Sequence, residues 1–176
     1  MFDLSPSTQT DSFREQSMRF PILSADFLTR PMSLNSVERE DFSLLSQLAF
    51  QNNWVWNRQQ IKPLLRNQVR TIVVTNPERV IKYVSSGFEK MTGYSSQFAI
   101  GKRPDFLQGT RTDLEVKQKL RTQFSAKETV KVDLINYKKS GEEYICRVEI
   151  RPIFDTAGEL RNFLAVEWEI TDETAQ

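Results

Sequence analysis

The sequence predicts an α+β fold, in which a five-stranded antiparallel sheet carries short helices on one face and follows an N-terminal helical extension. The first observation is a pair of β-rich segments, 71–75 and 80–84, joined by a turn at Asn76 and Pro77. The second is a set of three longer β-rich segments, separated by polar turns that contain glycine, at 129–138, 142–153 and 161–171. Because the stretch between these sets has helical patterns, the order β-β-α-α-α-β-β-β indicates an antiparallel sheet with its helices on one side.

Two capping-box patterns predict where helices begin. Asn35 followed by Glu38 predicts one start, since the Asn side chain accepts from a free first-turn N–H and Glu38 reaches back. Thr112 followed by Glu115 predicts a second start.

We predict four regions along the chain. Residues 1–34 are rich in Ser, Thr and Pro but also carry several large apolar residues, so we expect a flexible or partner-docking N-terminal arm. Residues 35–70 form the helical extension, and residues 71–172 form the main domain. Residues 173–176 form a C-terminal tail.

The composition excludes several classes of chemistry. The 176 residues contain no His and a single Cys, Cys146. Without His, the usual general base for a Ser or Cys nucleophile is absent, as are His-bound haem, zinc and iron sites. One thiol cannot form an internal disulfide or a multi-thiolate metal site. We therefore expect a protein that is not an enzyme and that binds no metal.

Charge and hydropathy give expectations about partners and location. The 24 Lys and Arg residues nearly balance the 23 Asp and Glu residues, and the net charge of +1 provides no general attraction for nucleic acid. No stretch approaches the roughly 18 apolar residues of a transmembrane helix, and the first residues lack the pattern of a secretory signal. We expect a cytoplasmic protein with no membrane span and no nucleic-acid partner.

One face of the predicted last strand is too apolar to be left in water. Together with neighbouring strands it presents six apolar residues, namely Ile135, Ile145, Leu164, Val166, Trp168 and Ile170. We expect either the helix at 36–50 or a second subunit to cover this surface. It is the predicted site of homodimer formation or of contact with a partner protein.

Four segments of the main domain carry recognisable motifs. They are Gly87-Phe88, Thr92-Gly93-Tyr94, Gly101-Lys102-Arg103-Pro104-Asp105-Phe106-Leu107-Gln108-Gly109 and Asn136-Tyr137-Lys138-Lys139-Ser140-Gly141. This set resembles the PAS domain superfamily and, through Phe-Leu-Gln-Gly, its light-oxygen-voltage (LOV) branch, over about residues 70–172. The resemblance implies a PAS fold. It also implies the LOV chemistry, in which bound flavin mononucleotide (FMN) forms a light-driven adduct with a cysteine.

The sequence departs from the LOV pattern where that chemistry occurs. The LOV signature is Gly-x-Asn-Cys-Arg-Phe-Leu-Gln, and Arg103, Pro104 and Asp105 stand at its Asn, Cys and Arg positions. Proline has no thiol, so no adduct can form at this position. Asp105 would place a negative charge where LOV domains bind the FMN phosphate, and a like charge weakens such binding.

Five further positions are the candidate cofactor-binding residues that the resemblance implies. Gln108, Asn136 and Arg121 match a Gln, a flavin-facing Asn and a phosphate-binding Arg of LOV domains. Cys146 stands at a second flavin-facing Asn, and Glu167 stands at the Gln that signals the flavin state. Because the losses outnumber the retained groups, we expect no cofactor, with FMN binding as the alternative.

Two of these positions have a structural as well as a functional interpretation. Cys146 alternates with apolar residues and reads as a small buried hydrophobe, or else as a thiol that reaches a pocket ligand. Glu167 is expected to point inward, where a carboxylate must be paired, with Arg103 or Asn136, or be protonated. Its side chain is interpreted either as a polar group that occupies the place of a ligand or as a group that contacts a ligand.

We therefore expect a non-enzymatic PAS signalling or protein-interaction module. It would be LOV-like, unable to form the cysteinyl-flavin adduct at the usual site, and would act through self-association or a partner protein. The alternative is a flavin- or small-molecule-binding sensor, including a blue-light sensor.

Overall fold

A five-stranded antiparallel sheet with short helices organises the computed structural model, which describes residues 34–56, 58–65 and 70–171. The predicted arm at 1–34, apart from Leu34, and the predicted tail at 173–176 lie outside the described residues. From Leu34 onward the helical extension and the sheet belong to one compact unit. The elements in chain order are α1 Ser36–Gln51, α2 Arg58–Ile61 with a 3-10 turn Lys62–Leu65, β1 Thr71–Thr75, β2 Ile81–Val84, α3 Gly87–Thr92, α4 Ser96–Ala99, a 3-10 helix Pro104–Leu107, α5 Leu114–Ala126, β3 Val130–Tyr137, β4 Glu143–Phe154 and β5 Leu160–Glu169.

The strands lie in the order β2-β1-β5-β4-β3, and every neighbouring pair is antiparallel. The last strand of the chain is therefore the central strand of the sheet. β5 pairs with β1 on one side and with β4 on the other, so that Glu167 lies opposite both Thr71 and Val148. This arrangement confirms the predicted PAS fold class, and the predicted strands agree with the observed ones to within two residues.

The inner face of the sheet packs against α3, α4, the 3-10 helix and α5. We call this packing the inner core, and it includes Phe88, Leu107, Leu120 and Phe163. β3 shows why the sequence predicts a strand here, since its residues alternate between buried and more exposed positions. The inner core holds the cavity described below.

The N-terminal helices cover part of the outer face. Asn35 and Glu38 form the predicted capping box, and α1 ends at Gln51. Leu45 and Trp54 pack with buried residues of β1, β4 and β5 in a second cluster, which we call the outer core. The Trp54 indole N–H also donates to the Asn162 side chain over 2.8 Å, which ties the segment after α1 to β5.

A buried carboxylate joins α1 to the sheet. Asp41 is 8% exposed and accepts from the Tyr83 hydroxyl over 2.8 Å. It also accepts from the Ser86 hydroxyl over 2.7 Å and from the Ser86 backbone N–H over 3.1 Å. Burial and the bond to Asp41 raise the pKa of Tyr83 well above its usual value, so the phenol stays a donor.

The second predicted capping box is wrong. Asp113, rather than Thr112, caps α5, and its side chain accepts from the Glu115 backbone N–H over 2.7 Å. Thr112 is buried, and its hydroxyl donates to the Ile135 carbonyl over 2.6 Å while accepting from the Gly109 N–H over 2.9 Å. The Thr112 side chain therefore bonds to β3, instead of capping α5 as the local pattern predicts.

The helices of the described residues are all too short or too polar to cross a membrane. The same part of the chain contains no group of three or more Cys, Asp or Glu residues placed to hold a metal ion.

Candidate functional site

A small cavity opens between the inner face of the sheet and the helices that cover it. Its volume is about 80 Å³. Leu107 of the 3-10 helix and Leu120 of α5 form one wall, while Leu134, Val148 and Ile150 of the sheet form the other. The lining thus combines apolar walls with polar and charged side chains.

Four of the five predicted cofactor-binding residues meet at this cavity. Gln108, Arg121, Asn136 and Glu167 all line it, although they come from a loop, a helix and two strands that are not adjacent. Cys146, the fifth, lies in the inner core and does not line the cavity.

Glu167 is buried with one carboxylate oxygen unsatisfied. It is 7% exposed, and its Oε2 atom has no hydrogen-bond partner among the described residues. Burial raises the pKa of this carboxyl to about 7. The expectation that Arg103 pairs with it is wrong, because the Arg103 guanidinium lies 3.2 Å from Asp105 instead. No hydrogen bond joins Glu167 to Asn136 among the described residues either.

Two more buried polar atoms lie on the inner face, four residues along β4 from Val148, which faces Glu167. Asn136 and Tyr144 sit opposite each other on β3 and β4, and each is 4% exposed. The Asn136 Oδ1 atom and the Tyr144 hydroxyl have no hydrogen-bond partner within the described chain. Burial also raises the pKa of Tyr144 well above its usual value. Native proteins contain few such unsatisfied groups, and the two that line the cavity, in Asn136 and Glu167, call for an explanation.

Three cations line the cavity, and each is more exposed than Asn136 and Glu167. Arg121 is a predicted site residue, whereas the sequence reasoning did not identify Arg79 and Lys117. Lys117 lies one helical turn before Arg121 on α5, and an i, i+4 comparison with Arg121 could have found it. Arg79 comes from the turn between β1 and β2, where no local pattern points to the cavity.

The segment that diverges from the LOV signature forms the rim. Pro104 is the first residue of the 3-10 helix, a position where its missing N–H costs no hydrogen bond. The side chains of Arg103 and Asp105 are 46% and 51% exposed and pair with each other. Asp105 therefore lies at the cavity mouth with its charge already matched.

Cys146 is inaccessible in this fold. The residue is 0% exposed, and burial raises the pKa of its thiol well above the usual value. A protonated thiol is a poor nucleophile, so Cys146 behaves here as a small apolar residue of the inner core.

The predicted interaction surface divides into two parts. Leu164, Val166 and Trp168 are buried in the outer core, so helices of the same chain cover them. Ile145 is 49% exposed, and Ile135 and Ile170 are partly exposed. The helical extension thus covers the β1–β5 half of the outer face, while among the described residues the β3–β4 half is less covered.

The family follows from the match between this domain and known proteins. Residues 69–172 match the family model for the PAS domain. The chain belongs to the PAS domain family.

This PAS chain has LOV-domain homologues and structural neighbours among LOV and other PAS domains. It is 37% identical over 100 residues to the blue-light-activated histidine kinase 1 of Erythrobacter litoralis (strain HTCC2594), a match that covers 57% of this chain and 28% of the relative. The chain thus spans less than a third of that relative's length. The match supports a signalling sensor module.

The structural likeness extends beyond light sensors. A structure from work on a flavin analogue and the light-oxygen-voltage domain mechanism has a TM-score of 0.60 and 29% identity, over 65% of this chain and 87% of the other. The PAS domain of the fruit-fly ELK potassium channel has a TM-score of 0.58 and 31% identity, over 64% and 96%. Since both fit equally well, the site residues must decide what this PAS domain does.

Proposed function

We propose that this chain is a non-enzymatic PAS signalling module that forms no cysteinyl-flavin adduct at the usual position and acts through self-association or a partner protein. The observation that carries the proposal is Pro104, which stands where the LOV signature has its reactive cysteine. The one thiol, Cys146, is buried in β4 and lies outside the cavity.

The cavity residues fit a flavin poorly. Pockets for ligands of that size enclose about 300–1,000 Å³, whereas this cavity has a volume of about 80 Å³. Asn136 and Gln108 offer amide groups for a flavin ring edge, and Arg121 offers a charge for a phosphate. Without side-chain movement, however, the inner-core packing leaves no space for the ring system. The chain is therefore proposed to signal without the cofactor.

The outer face supports a role in protein contacts. α1 packs on the central strand, so a change in the sheet and a change in the helical extension affect each other directly. Ile145 of β4 presents apolar surface that the described residues leave uncovered. In this proposal α1 and the β3–β4 half of the outer face form the surface that a second copy or a partner recognises.

A visible absorption spectrum combined with a mass measurement in solution tests the proposal. Protein purified from cells is expected to be colourless and to release no flavin on denaturation, and its mass in light scattering is expected to exceed that of a monomer. A yellow preparation that bleaches under blue light would contradict the first part. A strictly monomeric protein that captures no partner in pull-downs would contradict the second.

A flavin- or small-molecule-binding sensor is the second candidate. The two unsatisfied polar atoms of Asn136 and Glu167 that line the cavity favour it, because a ligand or ordered water would satisfy them. A blue-light sensor would retain flavin in the spectrum described above. A sensor of another small molecule would stay colourless and bind its ligand in solution.

A further inference from the structure

The unsatisfied atoms in the buried part of the cavity lining require hydrogen-bond donors. Asn136 Oδ1 is an acceptor only, and Glu167 Oε2 is an acceptor whenever the carboxyl is ionised. Both residues line the cavity and are more than nine-tenths buried. An ammonium group carries three donors and a positive charge, so it can satisfy Glu167 Oε2 and compensate the buried carboxylate.

The more exposed part of the cavity lining has the opposite preference. Arg79, Lys117 and Arg121 belong to it, and the exposed acid among the lining residues, Asp105, is already paired with Arg103 at 3.2 Å. The Arg79 guanidinium also lies 5.8 Å from the Phe124 ring, which lines the same cavity. The surplus of positive charge in this part favours a carboxylate.

The cavity volume limits the size of what can bind. A buried water needs about 10–15 Å³ of such space, so a volume of about 80 Å³ corresponds to roughly five to eight water-sized positions. A small aliphatic molecule fits these limits, and the apolar walls of Leu107, Leu120 and Leu134 suit its methylene groups.

We infer that the cavity binds a small zwitterionic amino acid, with the ammonium group on Glu167 and the carboxylate at Arg79, Lys117 or Arg121. The inference deepens the proposed signalling function, because it supplies a chemical input for a module that acts through its surfaces. Glu167 lies on the same strand as Val166 and Trp168, which contact the helical extension in the outer core. Ligand binding would thus reach α1 through one strand.

Nuclear magnetic resonance titration with glycine, β-alanine and γ-aminobutyrate tests the inference. Matched molecules that lack one charged end, namely propionate and propylamine, serve as controls for β-alanine. We expect at least one zwitterion to shift the Asn136 side-chain amide and the Glu167 carboxyl resonances at millimolar concentration. Neither propionate nor propylamine is expected to reproduce those shifts.

Substitutions in the two parts of the cavity lining separate binding from folding. Glu167→Gln and Arg121→Gln should each weaken the zwitterion by about tenfold, which corresponds to the loss of about 1.4 kcal/mol. Glu128→Gln and Lys119→Gln, at exposed positions that do not line the cavity, should leave the affinity unchanged. A native amide spectrum for each variant establishes that it folds.

Two results would overturn the inference. One is the absence of any zwitterion-dependent shift at Asn136 and Glu167 in folded protein. The other is equal binding of propionate or propylamine, which would mean that a single charged end suffices. Either result leaves the spectrum and mass measurements of the proposed function unaffected, so the two proposals fail separately.

Discussion

Glu167 is a buried carboxyl whose surroundings differ strongly from water. Its folded pKa of about 7 lies above the ordinary value of 4.5, because burial disfavours the charged form. A group with a raised folded pKa contributes stability at low pH, where both states are protonated, and that contribution declines as pH rises from about 4.5 to about 7. The free energy of unfolding should therefore fall by about 3 kcal/mol across this window.

Glu167→Gln tests this dependence. The amide is uncharged at every pH, so the variant should lose most of the decline and be the more stable protein at pH 8. Urea unfolding at a series of pH values measures the effect. Glu128→Gln, which removes an exposed carboxylate, should retain the wild-type profile, and an identical decline in both variants would contradict the assignment.

At the scale of the element, α1 depends on one apolar side chain that the sheet buries. Leu45 is 0% exposed in the outer core, while its neighbour Leu44 is 48% exposed. Leu45→Ala should lower the free energy of unfolding by about 2–5 kcal/mol, and Leu44→Ala should change it by less than about 0.5 kcal/mol. Denaturant unfolding of the two variants distinguishes them, and equal losses would mean that α1 does not pack as described.

The docking of α1 also depends on Asp41. Asp41→Ala removes the acceptor for Tyr83 and Ser86 and leaves their donors buried, so it should cost about 2–4 kcal/mol. We expect hydrogen exchange to accelerate most in α1. Glu40→Ala, one residue earlier and exposed, should have little effect. Uniform acceleration across the sheet would argue against a local role for Asp41.

The elements could be predicted from local patterns, but the competition between neighbouring caps could not. The alternation of β3 and the turns around it fix its ends from sequence alone. Thr112 and Asp113 are both good capping residues, and the choice between them depends on the Thr112 bond to β3. A contact between residues far apart in the chain cannot be predicted from a sequence segment of a few residues.

The site was predictable to the extent that the family motif specified it. Gln108, Arg121, Asn136 and Glu167 meet at the cavity because the PAS topology brings their elements together. Arg79 reaches the same cavity from a turn that sequence patterns do not connect to it. The pairing of Arg103 with Asp105 depends on side-chain directions at the rim, which motif positions alone do not fix.

At the scale of the whole molecule, the proposed self-association rests on the less covered half of the outer face. Ile145→Lys places a charge at its centre and should return the mass in light scattering from above 20.5 kDa to that of a monomer. Leu114→Lys is the matched control, since Leu114 is 77% exposed on α5 at the other side of the sheet. Loss of association in both variants, or in neither, would place the contact elsewhere.

The position of β5 constrains how this sequence can vary. Seven consecutive residues of the strand, Asn162–Trp168, are buried, because helices cover both faces of the sheet at its centre. In β3 the tolerance to substitution should alternate from one residue to the next, whereas in β5 it should be low at every position. In proteins that descend from this one, substitutions would then accumulate in the edge strand β3 faster than in the central strand β5.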